Sequence, residues 1–232
     1  MSKLKPFYPV LIALLIVLIW SPLFFMSRPS TKSNNILEFN KNPQIKISSD
    51  GFNFMGDFKF PEKLKKRFGN YRKNWHRLTD YEFSGLHWQQ MVVIYVNKNP
   101  EIYSANYKQF SKFYLSDDED VDEIEDEPTF ENYPEGTIFL KEHYFVKKNM
   151  PSDQGTIAIM EKMPVGYDSK NGNWRYSWIN SSSGTVLMKG KSGAIGLQKA
   201  CIECHQNIPD RDYVFSTALR SKYKKLFNVQ AK

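Results

Sequence analysis

The sequence predicts an α+β fold, in which a mainly antiparallel β-sheet is accompanied by a few helices. After Pro134–Gly136 the chain has four stretches rich in β-branched and aromatic residues, joined by short loops. Consecutive strands with short links pair antiparallel. Helical periodicity appears ahead of these stretches, between Pro61 and Phe113. Hydrophobic residues make up 41% of the 232 residues, which is enough for one sizeable core and too many for a disordered chain.

The N-terminus carries an apolar run without charge. No charged residue occurs from Pro6 to Ser27, and about 20 apolar residues span a bilayer as a helix. Lys3 and Lys5 precede the run, which keeps the short N-terminus in the cytoplasm. Bulky residues at 24–26, where a signal peptidase needs small ones, favour an uncleaved anchor. We therefore predict a transmembrane helix at 1–28 and export of the remainder to the periplasmic side of a bacterial inner membrane. Cleavage and release into the periplasm is the alternative.

A polar stretch at 29–56 predicts a linker to a domain at 57–232. From Pro61 an apolar stripe recurs at helical spacing and predicts an amphipathic helix; the stripe consists of Leu64, Phe68, Tyr71, Trp75 and Leu78. The opposite face is rich in lysine and arginine, which we interpret as a solvated surface, with contact to a membrane surface as the alternative. The net charge of +7 is not concentrated in a nucleic-acid-binding motif, and we expect no nucleic-acid partner.

The middle of the chain predicts a buried strand at Gln89–Val96 and a helix at Glu101–Phe113. An acidic run follows, with nine acids among the eleven residues 117–127. It lacks the glycine of a calcium-binding loop, and we interpret 116–128 as a solvated insertion, with docking to a basic partner as the alternative. The β-rich half then predicts strands at Thr137–Val146, Thr156–Met160, Trp174–Asn180 and Thr185–Lys189, with hairpin loops at 168–172 and 181–184.

Residues 201–205 read Cys-x-x-Cys-His, the pattern of c-type haem attachment. Two thiols on one helical turn reach the two vinyl groups of a haem, and His205 reaches the iron as its proximal ligand. Cys201 and Cys204 are the two cysteines of the chain. We therefore predict one covalently attached haem c with His205 on its iron. A disulfide, a thioredoxin-like pair and a zinc site are the alternatives, although the last two lack a βαβ context and a fourth ligand.

The group opposite His205 decides whether the iron has an open position. The motif is followed by 27 residues without a methionine and is preceded by the β-rich half. This order argues against the mainly helical fold of ordinary electron-transfer cytochromes c. The candidates for the sixth ligand are His76, His87, His143, Met150, Met160, Met163 and Met188.

Four segments carry a more specific resemblance, namely 92–97, 134–142, 160–176 and 200–215. The sequence resembles the cytochrome P-460 family, which includes the hydroxylamine-oxidising cytochromes P-460 and the gas-binding cytochromes c′-β. The resemblance runs from about Phe60 to Phe227. It implies a mainly antiparallel β-sheet with a few helices around one haem, whose distal face is open.

The resemblance also implies roles for single residues. Lys141 occupies the end of the Gly-Thr-x-x-x-Lys strand, where a lysine of the P-460 enzymes bonds to the porphyrin edge. The period of two places Lys141 on one strand face with His143; the alternative places Lys141 in solvent, with Ile138, Leu140 and Tyr144 packed inward. Trp88 falls near the expected distal aromatic wall, with Phe83 as the second choice. Glu161 and His143 are candidate proton acceptors, because hydroxylamine oxidation releases protons.

Three functions remain open at this stage. An enzyme would oxidise hydroxylamine or a related small nitrogen compound and pass electrons to another cytochrome. A binding protein would trap or sense nitric oxide or another diatomic gas. Plain electron transfer would need a protein ligand at the sixth position. A homodimer through the β surface is a further partner that the sequence leaves open.

Overall fold

The computed structural model describes residues 45–48, 51–54, 58–87, 89–115, 127–147, 150–180, 183–190 and 197–220. These residues belong to one compact unit within Pro43–Lys232. The predicted helix at 1–28, Trp88 and the acidic run at 116–126 lie outside the described residues. In the described ranges, no helix has the length and apolar character that crossing a membrane requires.

The chain order of the elements alternates between helices and strands before it becomes mainly β. The strands in the described ranges are β1 Ile45–Ser48, β2 Gly51–Phe54, β3 His76–Arg77, β4 Glu82–Ser84, β5 Gln90–Val96, β6 Ile138–Lys147, β7 Met150–Lys162, β8 Trp174–Asn180 and β9 Thr185–Gly190. The α-helices there are α1 Glu62–Phe68, α2 Tyr71–Asn74, α3 Pro100–Tyr114 and α4 Leu197–His205; short 3-10 turns cover Gly85–His87, Ser169–Asn171 and Pro209–Arg211.

Seven of the described strands form one antiparallel sheet. Its order is β3-β5-β6-β7-β8-β9, and β4 pairs with β5 on the same side as β3. The register aligns Ile94, Lys141, Ala158 and Trp178 in one row across four strands. Aligned residues of neighbouring strands share a face, so these four side chains point to the same side of the sheet. The predicted antiparallel sheet with a few helices is therefore confirmed.

Both faces of this sheet are covered. On the first face, Leu140 and Tyr144 of β6 pack with Phe68 and Tyr71 of the N-terminal helices. On the opposite face, which we call the motif face, Phe139 lies in one cluster with Tyr103 of α3 and Ile202 of α4. Burial on both sides explains why β6 is buried at nearly every position from Ile138 to Tyr144 and lacks a simple polar–apolar alternation.

One sequence prediction for the N-terminal part is corrected. The single helix predicted from Pro61 to Leu78 is broken after Phe68. At Gly69 a Cβ atom would lie 2.6 Å from the carbonyl oxygen of Lys65, so the turn between α1 and α2 suits a glycine. Leu78 belongs to the motif-face cluster rather than to the helical stripe. Within the predicted linker at 29–56, β1 and β2 pair as a hairpin; the linker itself stays a prediction.

The other predicted elements agree with the structure. The strand before Asn97 and the helix after it are confirmed as β5 and α3. The strand predicted at Trp174–Asn180 has the predicted bounds, and the motif lies on a helix as expected. β7 is longer than predicted, since it begins at Met150 rather than Thr156.

Arg211 joins the two chain segments that flank the acidic run. Its guanidinium carbon lies 4.9 Å from the ring centre of Phe110, 4.6 Å from that of Tyr114 and 5.1 Å from that of Phe130. Phe110 and Tyr114 belong to the last turns of α3, and Phe130 follows the run. One buried cation therefore holds both ends of the acidic insertion through cation–π contacts.

Candidate haem site

His205 ends helix α4, which the buried Ile202 anchors to the motif face of the sheet. The Nδ1 atom of His205 lies 2.6 Å from the carbonyl oxygen of Tyr213. A carbonyl oxygen can only accept, so Nδ1 carries the hydrogen and Nε2 is left with its lone pair. This is the tautomer that a histidine needs to bind a metal through Nε2.

The carbonyl that orients His205 is presented by an unusual turn. Asp212 and Tyr213 both have positive φ angles, 48° and 64°, a region that aspartate tolerates better than most residues. The turn is held from three sides. Trp174 Nε1 donates to the Asp212 carbonyl at 2.9 Å, while the Asp212 carboxylate accepts from Lys162 Nζ at 2.5 Å and from the backbone N–H of Tyr133 at 2.9 Å.

The protonation of His205 also suits a metal ligand. Burial first, and the nearby charge of Lys141 second, lower the pKa of His205 to about 4. The imidazole is therefore neutral at pH 7, as metal binding requires.

The two cysteines lie on the same helix as His205 and are not bonded to each other. Burial raises the pKa of Cys201 to about 11, whereas the thiol of a thioredoxin-like pair has a lowered pKa. Within the described ranges, no group of three or more His, Cys, Asp or Glu side chains is arranged to hold a metal ion. None of the three alternatives to haem attachment finds support in this arrangement.

A cavity lies between the motif face of the sheet and helix α4. Part of this cavity is open to solvent. Most of the lining is apolar, and the described lining residues include no carboxylate. The lining residues are His87, Ile94, Tyr103, Phe139, Lys141, Ala158, Ile159, Met160, Tyr176, Ser177, Trp178, Cys201, His205, Val214 and Phe215.

Lys141 points into this cavity. Its Nζ atom lies 3.3 Å from Nε2 of His87, and burial lowers the pKa of Lys141 to about 8. The alternative that placed Lys141 in solvent is wrong, although Leu140 and Tyr144 are buried as it expected. Both faces of β6 are covered at this point, one by the N-terminal helices and the other by α3 and α4, so neither is a solvent face.

His143 lies on the same strand face as Lys141 and is fully buried. Its ring stacks on Trp178 with 5.1 Å between ring centres and lies 5.3 Å from the ring of His87. Nε2 of His143 has no hydrogen-bond partner, and burial lowers the pKa of the ring. His143 is not among the residues that line the cavity, but it packs against Trp178 and His87, which do.

Two other predicted site residues are not brought to the cavity, and a third is not described. Glu161 is on the first face, because it pairs with Ile138 of β6, which belongs to the cluster on that face. There its carboxylate pairs with Arg67 and Arg175. Phe83 is 60% exposed and does not line the cavity. Trp88 lies outside the described residues, so its predicted role is untested.

His87 is the cavity residue to which sequence reasoning gave no role beyond that of one sixth-ligand candidate among seven. It follows the short strand β4 in the 3-10 turn Gly85–His87. Nothing in the sequence around it marks a site, since β4 is too short to give a periodic pattern. The sequence offers one hint that His87 has a function, namely that it is one of four histidines in the chain.

Glu161 gives a prediction for acid stability. Burial alone would raise the pKa of Glu161, but its hydrogen bonds to Arg67 and Arg175 outweigh burial and hold it below the ordinary value of 4.5. The unfolded chain therefore binds more protons between the folded pKa and 4.5, and the free energy of unfolding rises with pH in that window. The stabilisation is complete above pH 4.5 and is lost as pH falls through the folded pKa.

We expect denaturant unfolding between pH 3 and 6 to show a shallower acid dependence for Glu161→Gln than for the wild type. The control is Glu203→Gln, a glutamate whose side chain is 55% exposed; it should retain the wild-type dependence. Parallel pH curves for Glu161→Gln and the wild type would contradict the assignment.

The comparison with known families decides the identity of this domain. The family model for cytochrome P460 matches residues 68–216, which include Lys141 and the whole Cys201–His205 motif. The chain belongs to the cytochrome P460 family. A search of the curated proteins finds no match for it. Membership confirms the resemblance that the sequence suggested and implies that this P460 domain binds haem.

The residues of this P460 domain fit a haem. His205 offers a neutral imidazole nitrogen, and the apolar lining suits the faces of a porphyrin. The hydroxyl of Tyr176 is buried at the cavity without a hydrogen-bond partner, and its ring centre is 5.5 Å from that of His205. A bound group that offers an acceptor there would satisfy this hydroxyl. His205 would hold the iron, and Cys201 and Cys204 would hold the porphyrin edge.

Proposed function

We propose that this P460-family chain is an exported mono-haem c-type cytochrome that oxidises hydroxylamine or a related small nitrogen compound and passes the electrons to another cytochrome. One observation carries the proposal. The amine of Lys141 lies in the cavity that Cys201 and His205 also line, which is where a lysine bonded to the porphyrin edge would have to be. This location supports P-460 chemistry for the chain rather than haem binding alone.

The side chains around the cavity would have different roles. A haem held there would supply an iron with an open coordination position that takes up electrons from the bound compound. Phe139, Met160 and Phe215 form apolar walls that exclude bulky molecules and water. Lys141 and His87 are the basic groups that line the cavity besides His205, and the described lining offers no carboxylate. Because the proposal bonds Lys141 to the porphyrin edge, His87 is the basic group of the described lining left to accept protons from a small nitrogen compound.

The apolar lining also favours a second candidate function. A diatomic gas such as nitric oxide makes few hydrogen bonds and suits a site walled by Ile94, Phe139 and Val214. In that case the protein would bind or sense the gas without turnover, as the resemblance to cytochromes c′-β suggests. Lys141 would then remain unbonded to the porphyrin.

The location of the protein is proposed from the sequence. The uncharged run from Pro6 to Ser27, preceded by Lys3 and Lys5, supports an anchor in the bacterial inner membrane with the P460 domain on the periplasmic side. Covalent haem attachment in that compartment is consistent with this topology. The redox partner would then be a periplasmic or membrane cytochrome, and a homodimer stays a prediction.

The test is the spectrum and activity of the matured full-length protein. We expect the reduced wild type to show a Soret band shifted far to the red, because a lysine–porphyrin bond alters the ring, and to oxidise hydroxylamine. In Lys141→Met the band should return to an ordinary c-type position, and turnover should fall by about 100-fold or more. The matched control is Lys147→Met, because Lys147 is an exposed lysine on the same strand.

Two other wild-type spectra would overturn this proposal. An ordinary five-coordinate spectrum without turnover would leave diatomic gas binding as the function. A low-spin six-coordinate spectrum would instead indicate electron transfer, and Met160 and His87 are the cavity residues able to fill the sixth position.

A further inference from the structure

We propose that the exposed cations of helices α1 and α2 dock on an anionic phospholipid bilayer and keep the haem cavity on the side of the domain turned away from the lipid. The proposal uses the membrane location proposed above and does not depend on the chemistry at the iron. We call these cations the basic surface; its exposed members are Lys59, Lys63, Lys65, Lys66, Arg67 and Lys73.

The basic surface has little negative charge to balance it. Between Phe58 and Thr79 the sequence has eight lysine and arginine residues and one acid, Glu62, which lies 3.7 Å from Lys65. In the described part of the chain, four of the six members take part in no ion pair, namely Lys59, Lys63, Lys66 and Lys73. These charges therefore remain available to an anionic partner.

Packing of the two helices fixes the direction of the basic surface. Phe68 and Tyr71 are buried in the cluster on the first face of the sheet, and Leu64 and Trp75 pack against the same cluster. The apolar side of α1 and α2 is therefore committed to the core, and the lysines between these residues are left on the outside. Rotation of either helix to bury its lysines would expose the aromatic rings.

An open cleft beside the basic surface suits a phosphate group. Its lining includes Lys59, Lys65 and Arg72 together with the rings of Phe58 and Phe60. Ammonium and guanidinium groups donate to phosphate oxygens, and the rings offer apolar area beside them. The cleft can therefore accept the phosphodiester of a lipid headgroup, while the exposed lysines attract the net charge of the bilayer.

The predicted anchor favours a bilayer over an acidic protein as the occupant. The uncharged run ends at Ser27, and the roughly 30 residues from there to Phe58 span at most about 100 Å even when fully extended. The domain is therefore held at a high effective concentration next to the lipid, so a weak attraction is enough for docking. Each lysine or arginine near an anionic bilayer adds about five-fold to the affinity.

Docking through the basic surface would set the orientation of the haem site. Helices α1 and α2 cover the first face of the sheet, whereas α4 and the cavity lie on the motif face. The sheet would then stand between the lipid and the haem. Electrons that leave on the motif face would reach a cytochrome in solution, so the proposal narrows the redox partner to a soluble protein.

Lysine footprinting of the matured full-length protein tests the proposal. The haem-loaded protein is placed in nanodiscs of phosphatidylcholine alone or with about one third phosphatidylglycerol, and acetylation of each lysine is followed by mass spectrometry. We expect Lys63, Lys66 and Lys73 to be acetylated about five-fold more slowly in the anionic discs. High salt should remove the difference, because it screens charges. Lys108 and Lys112, exposed lysines of α3, should react equally in both discs.

The variant Lys63→Gln/Lys66→Gln removes two charges from exposed positions and should fold as the wild type does. Protection of Lys73 in the anionic discs should fall from about five-fold to about two-fold or less. The haem spectrum should stay unchanged, because both lysines are remote from the cavity lining. Lys108→Gln/Lys112→Gln is the matched control and should leave the protection of Lys73 as in the wild type.

Equal acetylation of the basic surface in both kinds of disc would overturn the proposal. Protection of equal size in both kinds of disc would indicate an acidic protein segment, from this chain or a second copy, and would overturn it as well. If the protein does not stay with the discs, the predicted anchor is wrong, and sedimentation with anionic vesicles decides: binding that needs Lys63 and Lys66 supports docking, and absence of binding overturns it. Failure of hydroxylamine turnover bears on the proposed function alone.

Discussion

Asp212→Ala is expected to destabilise the P460 domain by about 3–5 kcal/mol, because it leaves a largely buried lysine without its partner. The side chains of Lys162 and Asp212 are only 13% and 5% exposed. The same change removes the acceptor for the N–H of Tyr133 and places an alanine at a φ of 48°. Denaturant unfolding monitored by tryptophan fluorescence gives the measurement.

Asp212→Ala should change the orientation of His205 as well as the free energy of unfolding. Asp212 holds the turn whose next carbonyl fixes His205, so Asp212→Ala should also broaden the haem spectrum through mixed ligation. Asp212→Asn keeps an acceptor for Tyr133 and tolerates the positive φ, and should lose less. The control is Asp210→Ala, whose carboxylate is 54% exposed and should cost at most about 1 kcal/mol. Equal losses at Asp212 and Asp210 would contradict the role given to the turn.

Glu142→Ala is expected to cost a similar amount on the first face of the sheet. The Glu142 side chain is 1% exposed and accepts from Arg72 Nε at 2.6 Å and from the hydroxyls of Tyr71 and Tyr144. Its removal takes away the carboxylate that pairs with Arg72 and accepts from the hydroxyls of Tyr71 and Tyr144. We expect a loss of about 3–5 kcal/mol in the free energy of unfolding, measured by denaturant titration.

Glu142→Ala and Asp212→Ala should differ in their effect on the haem site. Glu142 lies on the face away from the cavity, so the residual folded Glu142→Ala should keep an unchanged haem spectrum, unlike Asp212→Ala. Glu135→Ala, at an exposed glutamate, should stay within about 0.5 kcal/mol of the wild type. A loss of similar size at Glu135 would show that the buried contacts of Glu142 do not carry the effect.

The fold was predictable where local patterns decide it. Turn signals and β-branched runs located β6, β8 and β9, and the segment after β5 was predicted as the helix α3. Local sequence patterns gave wrong predictions where tertiary contacts decide the structure. Leu78 continues the helical spacing of Phe68 and Tyr71, yet it packs on the motif face after the chain has turned at Gly69. Strands as short as β3 and β4 exist because β5 offers them a partner, and no local signal records that.

The sequence predicted the part of the site that depends on the haem motif and on the alternation of side chains along a strand. Cys201–His205 pointed to the haem segment, and the resemblance to the P-460 family pointed to Lys141. Glu161 was misjudged because the face of β7 depends on its register with β6, which one sequence does not give. Asp212 was missed for a different reason, since its effect passes through a backbone carbonyl. His87 was named from the sequence as one candidate among seven, and its contact with Lys141 became visible only in the fold.

The clamp made by Arg211 has a consequence for how the family's chains can differ in length. A loop whose two ends are already fixed can be lengthened at little cost, about 0.6 kcal/mol for each doubling. Residues between Leu115 and Glu127 can therefore be gained, lost or exchanged during evolution while the cavity stays as it is. Arg211 itself is the exception. It directly precedes Asp212, so a change at Arg211 would disturb both the ends of the insertion and the turn that orients His205.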